Sequence, residues 1–465
     1  MTTQVRVLDL SYNRQLKCLP NSISDLENLC GLFLGYCQSI SCLPALEKLS
    51  ALRVLDISGC SKISCLAAIK KLRALRVLNI EDCKGIRKLP QDMECLASLQ
   101  YLYTMHTSIL EIPKVVISKL RNLRCLQLEE CGSLQSEEVN WLPHLQEFTN
   151  CYDELHSFNT LVKKLEQLEC YHICVGGRNY RELDTKSKTV YLEGIGFKGE
   201  RGQEIKALLP ANICCLHINR CEALNGSIAD YFQSVMSNLR KLEVHDCKEV
   251  EWISNSKQIT ENAAFKSLEV LDLSLLPKLI SVCKGEDVIL PDYYTFSCLK
   301  HVHIFECKSM KKLLPLALLQ NLKSLETLYV ARCYQLEVVI GEVEGDEEGI
   351  GSSSNSPLLS SSNILYLPNL KSLQLDNLPA LKSICNGRGM ICPSIEKILI
   401  WRCTNIKRMP SFLPINEAIG QPYLPSSFRG IYLFPNKKEW WESLEWHNPN
   451  AKDILQSHIH WNKLP

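Results

Sequence analysis

"LRVLDISGCSKISCL", residues 52–66, is followed 23 positions later by "LRVLNIEDCKGIRKL", residues 75–89. The two stretches share one skeleton: a pair of apolar residues split by a polar one, then a thiol, then more leucines. In Leu55-Asp56-Ile57, alternate side chains leave opposite faces of a strand. Leu55 and Ile57 therefore turn inward, while Asp56 and Ser58 turn outward. With the first inward residue as marker, the series runs Leu8, Leu32, Leu55, Leu78, Leu102, Leu126, in steps of 24, 23, 23, 24 and 24. The register blurs around Phe148 and near residues 170–192. It recovers at Leu216, Leu242, Leu271, Val302, Leu328, Leu373 and Ile398, with longer steps. Five residues after the marker stands Cys37, Cys60, Cys83, Cys131, Cys221, Cys247, Cys307, Cys333 or Cys403. Asn13 takes that place in the first unit, Leu276 and Leu378 in two later ones. About sixteen such units fit the chain.

The pattern L-x-x-L-x-L-x-x-(C/N)-x-x-L is that of the leucine-rich repeat. No single unit covers its own apolar face, so units stack into a solenoid. The fold expected is an α/β repeat horseshoe. A parallel sheet lines its concave face, and turns, 3-10 or short helices line its convex face. Each buried leucine contributes roughly 1.5–3 kcal/mol. The residue five after the marker lies where the backbone turns inward and leaves peptide groups needing partners. Cysteine is small and apolar yet still a weak donor, and asparagine donates more strongly. The repeated thiol reads as a packing residue.

Residues 1–135 form regular short repeats, with Leu-Pro turns at Leu19-Pro20, Leu43-Pro44 and Leu89-Pro90. Residues 136–210 read as degenerate repeats, and "GIGFKGERGQ" within them is glycine-rich and charged. Residues 211–410 return as longer repeats whose convex sides have room for a helical turn or an extended loop. Between Leu328 and Leu373 the excess length holds residues 341–363, "GEVEGDEEGIGSSSNSPLLSSSN", acidic and then serine-rich. Such a composition predicts an exposed loop. Residues 411–465 are assigned to a C-terminal cap and tail, in which Asn436 would cap a short helix carrying Trp440, Trp441 and Leu444. At the front, "VRVLDL" opens a full repeat with nothing before it to cover Val5, Leu8 and Leu10. The expectation is a piece of something longer.

Formal charge is +1, with 52 basic against 51 acidic residues, so no global field points to nucleic acid or an anionic membrane. No run approaches the roughly 18 apolar residues of a membrane helix. Twenty-four cysteines spread at a repeat position, in a chain opening "MTTQVRVLDLSYN", suit reduced thiols in the cytoplasm. No Walker-type phosphate loop is present. "VGGRNY" and "GIGFKG" lack the strand–glycine–helix setting. "CYHIC" at 170–174 and "HVHIFEC" at 301–307 bring Cys and His close together but offer no convergent fourth ligand for zinc. Their histidines are expected on the surface or concave face. No nucleophile–base arrangement is forced by sequence, so no catalysis and no metal site is expected.

Solenoids bind through the outward positions of their concave sheet. In the first half these are Asp56, Glu81, Asp82, Glu129 and Glu130, an acidic stretch. Farther on come His217, Arg220, His245, Phe305, Tyr329, Arg332, Trp401 and Arg402, mixing aromatic and basic groups of the kind that anchor interfaces.

Three features together resemble a known family: short Cys-ended units with Leu-Pro turns, the forms "LDLSLLPKLISV" and "LQLDNLPALKSI", and the terminal "KKEWWESLEW". They are similar to the leucine-rich-repeat region of plant intracellular disease-resistance receptors of the coiled-coil NB-ARC type. The resemblance spans nearly the whole chain. It implies recognition of a pathogen effector or a guarded host protein, and repeats that fold back on the NB-ARC module in cis or trans. ADP or ATP would belong to that module and not to this chain, which has no cofactor of its own. The resemblance also implies a cytoplasmic location, with nuclear or peripheral plasma-membrane placement as variants. Two other readings remain open. One is a ubiquitin-ligase substrate adaptor, expected to carry an F-box and more uniform units. The other is a stand-alone scaffold or decoy repeat protein.

Overall fold

The computed structural model describes residues 4–109, 112–128, 134, 136–177, 187–198, 205–255, 264–284, 295–314, 316–340, 364–385, 389–416, 418–434 and 438–462. Glu129, Glu130, Cys131, the 341–363 loop and Asn436 lie outside the described residues. The chain divides into two compact units, Met1–Ile195 and Gly196–Pro465.

In the N-terminal unit the inward markers are in register from strand to strand. Leu8 sits opposite Leu32, Leu32 opposite Leu55, then Leu78, Leu102, Leu126 and Phe148. All these strands are parallel. The first six, such as Val54–Asp56 and Val77–Asn79, are three residues long. Register is tight because a one-residue slip would turn Leu55 and Ile57 out to solvent; both are fully buried. On the other side of each turn stand 3-10 segments at Asn21–Asp25, Ala67–Ile69 and Gln91–Cys95 and the short helix Lys114–Lys119. Three of these follow prolines, Pro20, Pro90 and Pro113, with φ near −67°, −68° and −60°. Proline fixes that angle at no cost to a hydrogen bond there.

The stretch read as degenerate also forms strands, at Glu147–Tyr152, Cys170–Val175 and Lys188–Glu193. Cys170–Val175 is buried along both faces, and His172 is only 4% exposed. This histidine, expected on an open face, is a core residue.

The C-terminal unit repeats the logic with longer strands. Leu216, Leu242, Leu271, Val302, Leu328, Leu373 and Ile398 align in one parallel register. It runs on to Ile431 and Ile459, inside the stretch assigned above to cap and tail. The longer repeats also differ in what faces away from this sheet. Gly226–Ser227, Val250–Asn255 and Ser281–Lys284 pair as a second parallel layer. Lys312–Leu314 pairs with Val338–Ile340, Ile364–Tyr366 with Gly389–Ile391, and Arg408–Met409 with Glu445–Trp446. The expected helical turns are present at Ile228–Phe232, Gln233–Val235 and Leu316–Ser324, and extended chain joins them. The reason is packing: an extra strand buries alternate residues such as Ile253 and Val282, which a loop would leave wet. Near the end, helix Lys438–Ser443 buries Trp441 against Trp446, ring centroids 5.1 Å apart. Helix Pro449–Gln456 is capped by Asn448, whose side-chain oxygen accepts from the Asn450 amide at 3.0 Å.

One backbone feature recurs in both units. The residue just before the cysteine position has positive φ: Tyr12, Tyr36, Gly59, Asp82, Arg220, Asp246, Glu306, Arg332 and Arg402 among them. For a residue with a Cβ this left-handed conformation costs roughly 1–2 kcal/mol. Its amide, however, donates to a carbonyl of the next repeat: Tyr36 to Ser58 at 2.6 Å, Gly59 to Glu81 at 2.7 Å, Arg402 to Phe434 at 2.7 Å. The turn extends the ladder beyond the strand and sends the chain inward. Asp82, Arg220, Arg332 and Arg402 thus stand at this corner, just past the strands on which they were placed above.

Candidate interaction surface

The outward residues of the N-terminal strands are partly committed to their own turns. Asp9, Asp56 and Asn79 each accept, through a side-chain oxygen, the amide two residues on, at 2.9, 2.9 and 3.0 Å. This explains why Asp and Asn recur there: they close the strand exit. Glu81 has no such role. Burial and then the charge of Asp82 raise its pKa, His106 opposes them, and Asp56 adds a smaller push upward. A nearby cation would relieve that crowding.

The acidic stretch also carries aromatics that were not singled out. Tyr12 and Tyr36 stack at 5.3 Å with planes 6° apart, and Tyr12 is 71% exposed. Tyr36 lies across Gly59, where an added Cβ would come within 2.6 Å of its ring. The charge of Asp82 is the main cause of a raised Tyr36 pKa. Tyr101 and Tyr103 stack farther along, at 6.4 Å. Tyr12 and Tyr36 are legible only once the corner is known to face out as well; Tyr101 and Tyr103 flank the inward Leu102 on its strand.

In the C-terminal unit, Glu243 gathers the first histidines. His217 Nδ1 lies 2.5 Å and Lys241 Nζ 2.7 Å from its carboxylate, with His245 Nε2 at 3.7 Å. Burial opposes its ionisation, but hydrogen bonds from His217 and Lys241, with the His245 imidazole close by, hold it well below the usual carboxylate range. His245 also hydrogen-bonds Ser274. Ser274, His245 and Glu243 form a line, but it is not a nucleophile relay. The carboxylate stands beyond hydrogen-bond reach of the imidazole, and Ser274 is 8% exposed. Farther along, His303 meets Asp272 at 3.1 Å and stacks on Tyr329 at 4.5 Å. The Arg332 guanidinium covers Phe305 at 5.1 Å and pairs with Glu306 at 2.8 Å. Trp401 and Arg402 both pack on Phe434, at 5.5 and 5.6 Å. Arg220 pairs with Asp246 at 3.6 Å. The named residues therefore fall into clusters whose centres, Glu243, Asp272 and Phe434, were not identified from sequence.

The repeat cysteines sit beneath these rows. Cys37 donates to Leu10 O at 3.0 Å, Cys60 to Leu34 O at 3.1 Å and Cys83 to Ile57 O at 3.0 Å. Asn13 Nδ2 donates to Leu10 O at 2.7 Å. In the other unit Cys221, Cys247, Cys333 and Cys403 donate to a carbonyl two residues back, at 3.5, 3.3, 3.4 and 3.1 Å. Cys307 reaches Leu273 O and Phe305 O at 3.8 and 3.7 Å. Burial pushes the Cys60 thiol up to about 11 and the Cys83 thiol up to about 12. Among the described residues no group of three or more His, Cys, Asp or Glu side chains is placed to hold a metal ion. No described helix is long and apolar enough to cross a membrane.

A family model described as a leucine-rich repeat region matches residues 33–386, well over half of the chain. Disease resistance protein At4g27190 of Arabidopsis thaliana is 25% identical across 97% of this chain and 42% of its own length. Probable disease resistance protein At4g27220 of the same plant is 27% identical, over 90% of this chain and 43% of that protein. The chain thus spans about two fifths of these relatives. Among solved structures, a leucine-rich-repeat protein of Leptospira interrogans aligns over 96% of both chains, at 17% identity and a TM-score of 0.46. Register, buried leucines and the family match agree, and the chain belongs to the leucine-rich-repeat family, whose fold is a protein-interaction scaffold.

Proposed function

We propose that this chain is the effector-recognition and autoinhibitory leucine-rich-repeat part of a plant immune receptor acting in defence in the cytoplasm, with no catalysis of its own. The observation that carries this reading is the similarity of 97% of the chain to part of a disease resistance protein. The sheet face supports a division of labour. The N-terminal carboxylates Asp56, Glu81 and Asp82, with Glu129 and Glu130, engage a basic surface of the NB-ARC module in cis or trans. Glu81, half-buried beside Asp82, would gain a counter-charge from that contact. The clusters around Phe305, Tyr329, Arg332, Trp401 and Arg402, together with His217, Arg220 and His245, meet a pathogen effector or a guarded host protein. Large aromatics beside arginine are the usual anchors of such contacts. ADP or ATP is held by the NB-ARC module, not by this chain.

The test is co-expression of this chain with the NB-ARC half of a related receptor in leaf tissue, scoring resting and challenged cell death. The chain should hold resting signalling down. Glu81→Lys with Asp82→Lys should release it. Tyr329→Ala or Trp401→Ala should leave the restraint intact and abolish the response to challenge. Absence of restraint by the unaltered chain would remove the autoinhibitory half of the reading. Equal responses in all variants would remove the other half.

A further inference from the structure

We infer that the strand-entry edge of the N-terminal unit is a docking surface for an acidic polypeptide segment of a partner protein. The edge is defined by the residue two before each inward marker. Main-chain bonds link these positions in order: Cys30 N to Arg6 O, Arg53 N to Cys30 O, Arg76 N to Arg53 O, Gln100 N to Arg76 O and Arg124 N to Gln100 O, at 2.7–2.8 Å. Backbones at this edge are therefore one strand spacing apart, about 4.8 Å. Arg6, Arg53, Arg76 and Arg124 are all exposed, as are Arg73 and Arg121 on the turns leading in. Among the described residues none of these six guanidinium groups has an ion pair.

The same position in the C-terminal unit shows what this fold otherwise does there. Arg240, Glu269, Lys300, Glu326, Lys371, Glu396 and Arg429 follow one another along the ladder with alternating sign. Glu269 pairs with Lys300 and Glu326 with Lys371 at 2.7 Å, and Glu396 with Arg429 at 3.4 Å. That edge neutralises itself. The N-terminal edge instead sets Arg53 directly beside Arg76; the ladder meets a carboxylate only past Gln146, at Glu169, which accepts from the Gln146 side-chain amide at 2.8 Å, so the complement of the arginines has to come from elsewhere.

Arginine, not lysine, holds every basic position of the row, and its planar fork takes a carboxylate through two hydrogen bonds. A protein segment fits better than nucleic acid. A few residues along the same strands, Asp9, Asp56, Glu81 and Asp82 face outward, and a broad polyphosphate would meet their charge. A single acidic chain laid across the strand entries meets the arginines alone. This edge is distinct from the sheet face assigned above, so either reading can fail without the other.

The test measures binding of a fluorescein-labelled short poly-L-glutamate peptide to the whole chain by anisotropy across a salt series. An unlabelled single-stranded RNA of equal charge serves as competitor. The unaltered chain should bind the peptide, with affinity falling as salt rises. Arg53→Glu with Arg76→Glu should weaken binding by about tenfold or more, and Arg76→Gln with Arg124→Gln should weaken it less. Thermal midpoints should stay unchanged in both variants. Arg14→Glu with Lys17→Glu, on the opposite turn, should leave binding intact. No binding by the unaltered chain, equal loss in the Arg14/Lys17 control, or tighter binding of RNA than of poly-L-glutamate would each overturn the assignment.

Discussion

The N-terminal and C-terminal units hold the same cysteine at the same register and use it differently. In the first, Cys37, Cys60 and Cys83 donate to carbonyls 26 or 27 residues back, in the preceding repeat. In the second, Cys247 and Cys403 donate to their own strand end, two residues back, and Cys307 is shared between its own strand end and Leu273 O of the preceding repeat. The surroundings account for the change. Short repeats carry 3-10 turns on the side away from the sheet, whereas the longer ones add a second set of parallel pairings there. Where that outer ladder joins neighbouring repeats, the thiol is released to close its own turn. A repeat motif read as one residue therefore hides two structural jobs.

The largest expected effect comes from the core. Leu55→Ala and Leu242→Ala remove fully buried side chains, and each should cost about 2–5 kcal/mol. The difference should lie in spread. Hydrogen exchange after Leu55→Ala should rise in the repeats on either side, while after Leu242→Ala the outer ladder should confine it. Equal spread in the two variants would break the comparison.

A smaller effect follows from the thiols. Cys60→Ala should destabilise more than Cys247→Ala in urea titrations, by about 0.5–1.5 kcal/mol, the worth of one inter-repeat hydrogen bond. Indistinguishable midpoints would mean that the thiol serves only as volume.

Acid should separate the units by sign. Glu243 has a lowered pKa, so its contribution is present above the ordinary value of 4.5 and lost as pH falls through the folded value. Glu81 has a raised pKa, so its contribution is present below 4.5 and lost as pH rises through the folded value. Glu243→Gln should therefore flatten the acid-side loss of stability, and Glu81→Gln should flatten an opposing gain. Parallel pH profiles for the two variants would contradict the geometry at Glu243.

The smallest effect is chemical. Exposed Cys18, Cys42, Cys65, Cys95 and Cys298 should alkylate in the native chain near neutral pH, while Cys60 and Cys83 wait for unfolding. The stability held by the neutral Cys60 thiol should persist below pH 9 and fade as pH rises through about 11. Rapid native labelling of Cys60 would place it outside the core.

The strands were legible because Leu55 and Ile57 carry a period of two and the cysteine offset repeats; the register then follows marker to marker. The outer layer was not legible. "VEWISN" and "SVCK", where it forms, are short and mixed, and only pairing with a neighbouring repeat makes them strands. Nor was the left-handed corner. Glycine marks it once, at Gly59, while Tyr36, Asp82, Arg332 and Arg402 adopt the same φ with no compositional signal. On the sheet face the single residues Tyr329, Trp401 and Phe305 could be read from alternation. Their partners His303, Phe434 and Arg332 come from adjacent repeats or from the corner, so the clusters emerged only with the register.

The central claim is that recognition runs through the sheet face of the C-terminal unit. Site-specific photo-crosslinking tests it most directly, with the crosslinking residue placed at Tyr329 and, as control, at exposed Gln233 on a 3-10 turn away from the sheet. With the chain expressed in challenged leaf tissue, Tyr329 should yield a discrete, challenge-dependent adduct that Trp401→Ala removes, while Gln233 yields none. An adduct from Gln233 alone, or one from Tyr329 that is indifferent to Trp401, would contradict the account.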